Sequence, residues 1–512
     1  MTLMMENPRL QGLSLLTVYT IILILCTLAT NHRNKIWNQE GILWQDNVKK
    51  SPLKARPHNN LGNYLMDEKN YTLAIKCFKR AVQLDPTYYL AHNNLGSAYE
   101  IQGYYRKANL AYQKVLQINP FYAKAFYNLG KLYHDQELYE QAEEEYKKAL
   151  RINPRLPQAH NNLGGIYNHK QQYDDAIPEF KQALLIDALF EMAHNNLGIA
   201  YYNKGYYQEA IQHYQKAIKL NPKFSEAYNN LGIVYNHRGN YTQAIFNFKK
   251  AFSLQPDFTE AYDNLGVTYN NQKAYDHAIA NLLMALKLNP SCARAYYHLG
   301  NAYAGKNATK KALTAYEKAI ALDPTLKEAY NNLGIIYNKS GVPDQSIPLF
   351  KKAIMLDPHF AEAHNNLGIA YYHNGKYEKA IPHHRKALQL NPSFKEAYQS
   401  MANAYNRLKL YDNAIENFKK VLELDPNSAD THNNLGTVYK AKGWWEKALE
   451  EFRLAILAKP DHALAHLNLA VVYAVRAKDK EKSLYHLNRC ISINPSLPQL
   501  KMVKEQLLTL TN

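Results

Sequence analysis

A repeating interval of 34 residues is the feature that most constrains this chain. The dipeptide Leu-Gly, or a close variant of it, recurs thirteen times at that interval, from Leu61 to Leu469. We number each repeat so that this leucine occupies position 7. Position 8 is then glycine in eleven repeats, position 11 is tyrosine in twelve, and position 32 is proline from Pro86 to Pro460 except at Ala188. Such a fixed interval is typical of an array of small supersecondary units, none of which can bury its apolar face alone.

Each unit is predicted to be a pair of helices. Small residues at position 8, and alanine at position 20 from Ala74 to Ala448 except at Ser346, allow two helices to approach closely. Tyrosine at position 11 and an aromatic residue near position 24 fill the space between them. Proline at position 32 cannot continue a helix and marks the turn into the next unit. The sequence therefore predicts an all-α fold in which stacked helix pairs share one core.

The composition narrows the class of protein further. Hydrophobic residues make up 46% of the chain and charged residues 21%, which excludes wholesale disorder. Four scattered cysteines exclude a disulfide framework. The sequence contains no glycine-rich phosphate loop, no nucleophile elbow and no metal-ligand spacing among its twenty histidines. We therefore expect no enzyme, no catalytic residue, no cofactor and no metal site.

The repeated residues resemble a known family. Leu, Gly, Tyr, Ala, Phe, Ala and Pro at positions 7, 8, 11, 20, 24, 27 and 32 are similar to the tetratricopeptide repeat (TPR), and in the first repeat only Leu65 departs from this set. The resemblance implies a right-handed TPR superhelical solenoid that serves as a scaffold for protein–protein interaction. It covers thirteen repeats over residues 55–496.

The remaining segments are assigned around this array. Residues 1–12 form an N-terminal tail, and residues 13–29 form a transmembrane or signal helix. Trp37, Trp44 and Pro52 match positions 17, 24 and 32 of a preceding repeat, so residues 36–50 are expected to be an N-terminal capping half-repeat. Residues 497–512 are expected to contain a C-terminal capping helix, because a solenoid must shield its ends.

The N-terminal apolar run, from Leu13 to Ala29, has 17 residues, which is short for a membrane span and long for a signal peptide. We expect a single-pass membrane anchor; a cleaved signal or a buried helix are the alternatives. The basic residues that follow the run favour a cytoplasmic solenoid by the positive-inside rule. The junction WNQEGILWQDNVKKSPLKARPHNNLG resembles that of membrane O-mannosyltransferase-like TPR proteins, which favours the extracytoplasmic side.

A row of asparagines marks the candidate binding face. On a helical wheel, positions 2, 5, 6, 9, 12 and 13 lie opposite the core and line the concave groove of stacked helix pairs. Asparagine is a poor residue for the middle of a helix, and its amide both donates and accepts hydrogen bonds, which suits a peptide backbone. The candidate peptide-binding residues, all at position 6, are Asn60, Asn94, Asn128, Asn162, Asn196, Asn230, Asn264, Asn332, Asn366, Asn434 and Asn468.

This row resembles the asparagine ladder in the superhelical repeat domain of O-linked N-acetylglucosamine transferase. The resemblance implies that the partners are protein or peptide segments in extended conformation, bound largely independently of their sequence. Bonding between repeats, and passive copying by duplication, remain the alternatives for the row.

Acidic residues at position 2 form a second groove row, which is interrupted by Arg294. Its members are Glu226, Glu260, Glu328, Glu362, Glu396 and Asp430. They predict a preference for neutral or basic segments, with ordinary solvated charge as the alternative.

Three other functions remain open at this point. A regular solenoid with exposed ends could assemble end to end into a homo-oligomer. The chain could be an accessory subunit that recruits substrates for a glycosyltransferase system. The net charge of +17 and the lysine-rich second helices could bind nucleic acid or an anionic surface, although we place this charge on the convex, solvated face and disfavour nucleic acid.

Overall fold

The computed structural model describes residues 8–37, 40–498 and 500, and within these residues every regular element is a helix. The chain divides into two compact units, Met1–Leu254 and Gln255–Asn512. The helices of the first unit are α1 (Pro8–Trp37), α2 (Glu40–Lys50), α3 (Ala55–Asp67), α4 (Tyr71–Leu84), α5 (Tyr89–Ile101), α6 (Tyr105–Ile118), α7 (Ala123–His134), α8 (Tyr139–Ile152), α9 (Pro157–His169), α10 (Tyr173–Ile186), α11 (Glu191–Asn203), α12 (Tyr207–Leu220), α13 (Ser225–His237) and α14 (Tyr241–Leu254).

The second unit continues the same alternation of helices. Its helices are α15 (Thr259–Asn271), α16 (Tyr275–Leu288), α17 (Ala293–Gly305), α18 (Thr309–Leu322), α19 (Lys327–Lys339), α20 (Pro343–Leu356), α21 (Ala361–His373), α22 (Tyr377–Leu390), α23 (Lys395–Arg407), α24 (Tyr411–Leu424), α25 (Ala429–Ala441), α26 (Trp445–Ala458), α27 (Ala463–Val472), a π-helix (Tyr473–Ala477) and α28 (Lys480–Ile493). The all-α helix-pair solenoid expected from the 34-residue interval is confirmed.

The turn between repeats follows from the proline at position 32. Second helices end at position 30, and the next residue is extended, as at Asn153, whose φ is −133° and ψ is 95°. A residue that precedes proline avoids the helical region because the proline ring would clash with it. The proline is therefore consistent with the end of the second helix in the repeats that carry it, but it is not required, because α10 ends at the same position before Ala188, with Asp187 at φ −134° and ψ 94°.

The two helices of a repeat pack through a glycine and an aromatic ring. A Cβ atom added at Gly96 would lie 2.5 Å from the ring of Tyr112, and one at Gly164 would lie 2.8 Å from the ring of Phe180. Both rings are fully buried. At these two repeats the position-24 ring occupies the space that a side chain at position 8 would need, which confirms the close approach of the helices expected from the sequence.

A residue in the left-handed region ends the first helix of each repeat. Gly205 (φ 81°) and five other glycines hold this place, and seven other repeats use a residue with a side chain, such as Glu137 (φ 60°). In the last repeat the residue is Lys478 (φ 52°), one position late. The π-helix Tyr473–Ala477 directly precedes it and accommodates the one-residue insertion of that repeat.

The expectations for the N-terminal segment need correction. Among the described residues no helix is both long and apolar enough to cross a membrane. The single-pass membrane anchor at residues 13–29, and the membrane localisation and membrane partner derived from it, are therefore wrong. Its apolar run is at the lower limit of length for a span and contains the hydroxyl groups of Thr17, Thr20 and Thr27. Residues 1–7, and residues 501–512 of the expected C-terminal capping helix, lie outside the described part of the chain.

Candidate functional site

The two adjacent asparagines of a repeat lie at different depths. All eleven position-6 asparagines are partly exposed on the first helix of their repeats. Wherever position 5 is also asparagine, that side chain is buried, with an exposed fraction between 3% at Asn93 and 6% at Asn195. Position 5 therefore lies beneath the surface, and position 6 lies at the surface directly beside it.

The position-6 side chains are hydrogen-bonded to the neighbouring repeat. In at least six repeats the Nδ2 atom of position 6 donates to the Oδ1 atom of position 5 in the preceding repeat, over 2.9–3.1 Å. The pairs are Asn94–Asn59, Asn128–Asn93, Asn196–Asn161, Asn230–Asn195, Asn366–Asn331 and Asn468–Asn433. Bonding between repeats, one of the alternatives considered for this row, is therefore part of its role.

A second set of hydrogen bonds joins these pairs into longer runs. Within a repeat the position-5 Nδ2 atom donates to the position-6 Oδ1 atom, at 3.2 Å from Asn161 to Asn162 and 3.5 Å from Asn195 to Asn196. In the first unit, donation therefore runs in one direction through Asn230, Asn195, Asn196, Asn161 and Asn162. We call this run the amide chain. Hydrogen bonds arranged in series polarise one another, so the run favours a fixed spacing of neighbouring repeats.

Where position 5 is not asparagine, another oxygen accepts the bond. Tyr127 occupies position 5 before Asn162, and Asn162 donates instead to the hydroxyl of Tyr146 over 3.2 Å. Burial raises the pKa of Tyr146, so this hydroxyl remains neutral. Asn332 donates in the same way to Asn301 Oδ1 over 2.9 Å. The position-6 amide thus finds an acceptor below it even where the sequence pattern is interrupted.

Within the amide chain, the side chain of Asn196 keeps part of its hydrogen-bonding capacity available. A primary amide has two N–H groups and two acceptor lone pairs, and the amide chain uses one of each. Two cavities show that this face is open. One, of about 940 Å³, is lined by residues that include Asn60, Asn94 and Lys124, and another, of about 420 Å³, is lined by residues that include Asn301 and Asn332. The surface asparagines therefore border space that a ligand could occupy.

The acidic row consists of separate, largely solvated carboxylates. Glu226, Glu260, Glu362, Glu396 and Asp430 are exposed, and Glu328 is half-buried. Asp430 accepts a hydrogen bond from His462 Nε2 over 2.9 Å, and Ser225 donates to Glu226 over 2.9 Å.

The basic charge of the second helices is partly neutralised within those helices. Lys147 lies 2.6 Å from a carboxylate oxygen of Glu143, and Lys148 lies 2.8 Å from Glu145. Such pairs lower the local positive potential that a nucleic acid would meet.

The position-5 asparagines were missed as a functional set by the sequence reasoning. The helical wheel places position 5 in the groove, whereas these side chains are buried acceptors for the next repeat. The signal was present in the sequence, since an acceptor and its donor stand 35 residues apart, one more than the repeat interval.

These features define a helix-pair repeat protein with a polar, amide-lined face, and sequence comparison identifies its family. Models described as tetratricopeptide repeat match residues 89–122, 123–156, 145–177, 225–258, 293–326, 315–347, 361–394 and 433–498. A model described as TPR repeat matches residues 62–103, 164–205, 200–237, 268–307, 344–375 and 402–443. The chain belongs to the tetratricopeptide repeat family.

The fold is similar to that of a solved structure. The APC/C hetero-tetramer Cut9–Hcn1 contains a chain that matches with a TM-score of 0.51 and 16% identity, covering 87% of this chain and 95% of its own. YrrB, described as a TPR protein with an unusual peptide-binding site, is 29% identical over 36% of this chain and 95% of its own, with a TM-score of 0.32. No curated protein sequence matches this chain.

Proposed function

We propose that this chain is a scaffold that binds extended protein segments along the position-6 asparagines. Proteins of this family are generally non-catalytic scaffolds for protein–protein interaction. The observation that carries the finer proposal is the two-layer arrangement of amides. In at least six pairs of neighbouring repeats the buried position-5 oxygen holds one N–H of the surface asparagine, so that the amide is oriented before a ligand arrives.

The spacing of the repeats suits a peptide backbone. Packed helices lie roughly 8–10 Å apart, and an extended peptide advances about 3.4 Å per residue. One surface asparagine could therefore meet a ligand backbone about every third residue. Because backbone groups are common to all sequences, such contacts give affinity with little dependence on side chains.

Pre-orientation should raise this affinity. A free asparagine side chain loses rotamer freedom when it binds, and that loss reduces the net gain from each hydrogen bond. An asparagine already held by the preceding repeat has lost that freedom in the folded protein. The proposal thus assigns the amide chain a part in binding as well as in stacking.

A pair of matched variants tests the proposal. The alanine variant, Asn128→Ala combined with Asn196→Ala, removes two surface amides. The leucine variant, Asn93→Leu combined with Asn161→Leu, keeps those surface amides but removes the buried oxygens that accept their inter-repeat hydrogen bonds. Leucine is a natural choice at position 5, where Leu467 occurs in the last repeat.

The assay is fluorescence anisotropy with a panel of unstructured peptides of about fifteen residues and varied sequence. We expect the alanine variant to weaken binding about tenfold, since each lost hydrogen bond is worth about 0.5–1.5 kcal/mol. The leucine variant should weaken binding less, because it keeps both surface amides and loses only their orientation. Equal binding by wild type and the alanine variant would contradict the proposal.

A further inference from the structure

A second surface of the first unit departs from the repeat pattern at one place. It lies between the second helices of two consecutive repeats, α10 and α12, and is a trough of about 710 Å³. We call it the leucine–lysine trough; its principal lining residues are Lys181, Leu185, Leu189, Lys216, Lys219 and Leu220. None of them belongs to the asparagine row.

The apolar part of the trough is unusually exposed. Leu185 has an exposed fraction of 79% and Leu189 of 70%. They stand at repeat positions 29 and 33, and leucine occurs at both positions in this repeat alone. The same repeat carries Ala188 where every other repeat up to Pro460 has proline. Covering these exposed leucines with an apolar partner removes apolar surface from water, which favours binding.

The charged part of the trough is positive and unneutralised. Lys181, Lys216 and Lys219 are exposed, and among the described residues no carboxylate lies within ion-pair distance of them. This differs from Lys147 and Lys148, which are held by glutamates on their own helix. The three lysines are therefore available to carboxylates that a partner brings.

The two histidines that line the trough add no charge near neutral pH. His194 and His213 share a hydrogen bond between their Nδ1 atoms over 3.0 Å, which requires at least one neutral ring. Burial, and then the positive charges of His194 and Lys216, lower the pKa of His213 to about 4. Burial also lowers the pKa of His194. The surface is thus an apolar strip with a lysine border.

We infer that the leucine–lysine trough is a docking surface for an amphipathic protein segment whose apolar side chains are flanked by carboxylates. The leucines would cover the apolar side chains, and the lysines would pair with the carboxylates. An anionic acyl chain fits less well, because small apolar ligands are held in clefts that bury most of their surface, whereas Leu185 and Leu189 lie open to solvent.

A helical probe peptide tests this surface on the full chain. The probe carries leucines at i, i+4 and i+7 with glutamates beside them, and a matched peptide carries lysines in place of the glutamates. We expect saturable binding of the acidic probe by fluorescence anisotropy, weakened by salt, and no saturable binding of the basic one. Equal binding of both peptides would overturn the inference.

Matched variants locate the binding on the chain. Leu185→Ser with Leu189→Ser, and separately Lys216→Glu with Lys219→Glu, should each weaken the acidic probe about tenfold or more. Leu457→Ser is the control, because Leu457 occupies position 29 of another repeat and is also 79% exposed. It should leave binding unchanged. Unchanged binding by the trough variants, or an equal loss with Leu457→Ser, would overturn the inference.

Vesicles of phosphatidylglycerol distinguish a lipid surface from a protein-docking surface. If the two leucine substitutions abolish vesicle binding and leave the acidic peptide unaffected, the trough binds lipid and the inference is wrong. Loss of peptide binding with vesicle binding unchanged supports it.

Discussion

The amide chain makes a quantitative prediction at the pair Asn161–Asn196. Asn161 is 3% exposed, and its Oδ1 atom accepts from Asn196 Nδ2 over 3.0 Å while its own Nδ2 atom donates to Asn162 over 3.2 Å. We consider Asn161→Ala, Asn196→Ala and the double variant. The buried residue has two hydrogen bonds to lose, and the surface residue has one donated bond at this pair.

The expected free energies follow from these contacts. Asn161→Ala leaves a partly buried N–H of Asn196 without its acceptor, so it should lower the free energy of unfolding by about 1–3 kcal/mol. Asn196→Ala should lower it by about 0.5–1.5 kcal/mol, because water can reach that half-exposed site. The double variant should cost less than the sum, by a coupling energy of about 0.5–1.5 kcal/mol.

Urea unfolding followed by far-ultraviolet circular dichroism, on all four chains under the same conditions, measures this coupling. Pairs that do not interact add to within about 0.3–0.5 kcal/mol. Additivity within that range would refute the reasoning that the two amides are bonded across the repeat boundary. Asn93→Ala and Asn128→Ala form an independent copy of the cycle in the same unit.

Three further predictions concern stability. Burial lowers the pKa of His384 from 6.5 to about 3. The contribution of the neutral His384 to the free energy of unfolding is therefore complete above pH 6.5 and is lost progressively as the pH falls from 6.5 towards 3. His384→Phe should recover about 2 kcal/mol at pH 5 relative to pH 7, measured by urea unfolding at both pH values. Glu137→Gly should stabilise the chain by about 1 kcal/mol because Glu137 has a φ of 60°, and Gly205→Ala should destabilise it by a similar amount; the melting temperatures check both. Phe180→Ala should cost about 3–5 kcal/mol because Phe180 is fully buried, whereas Phe246→Ala, at 63% exposure, should change the unfolding free energy by less than about 0.5 kcal/mol.

The helix pairs could be predicted from the sequence because the residues that pack the two helices together recur at the same positions of successive repeats. The glycine and the aromatic ring exemplified by Gly96 and Tyr112 recur at a fixed separation, and proline recurs two residues after the second helix in every repeat except the one with Ala188. A pattern repeated thirteen times identifies the packing contacts without knowledge of the tertiary structure.

The amide chain was harder to predict because it depends on the offset between neighbouring repeats. A wheel of one helix places positions 5 and 6 on the same face, and it cannot show that Asn161 lies below Asn196. That contact is set by how far each helix is shifted against the next, which the stacking of whole repeats decides.

The N-terminal segment was mispredicted for a different reason. The 17 residues from Leu13 to Ala29 fall within the range of lengths that signal peptides, membrane spans and buried helices share. Length and composition therefore cannot distinguish these three kinds of segment. The resemblance at the junction with the repeats added a membrane context that the described helices do not support.

The most direct test of the proposed function replaces amide bonds of the ligand rather than residues of the protein. A peptide that binds the first unit is compared with two relatives: one with the same backbone and scrambled side chains, and one with ester bonds at every third position. We predict that the scrambled peptide binds within about threefold of the parent and that the ester peptide binds at least about tenfold more weakly. Unchanged binding of the ester peptide, together with loss of binding by the scrambled one, would show that the asparagine row does not recognise a peptide backbone.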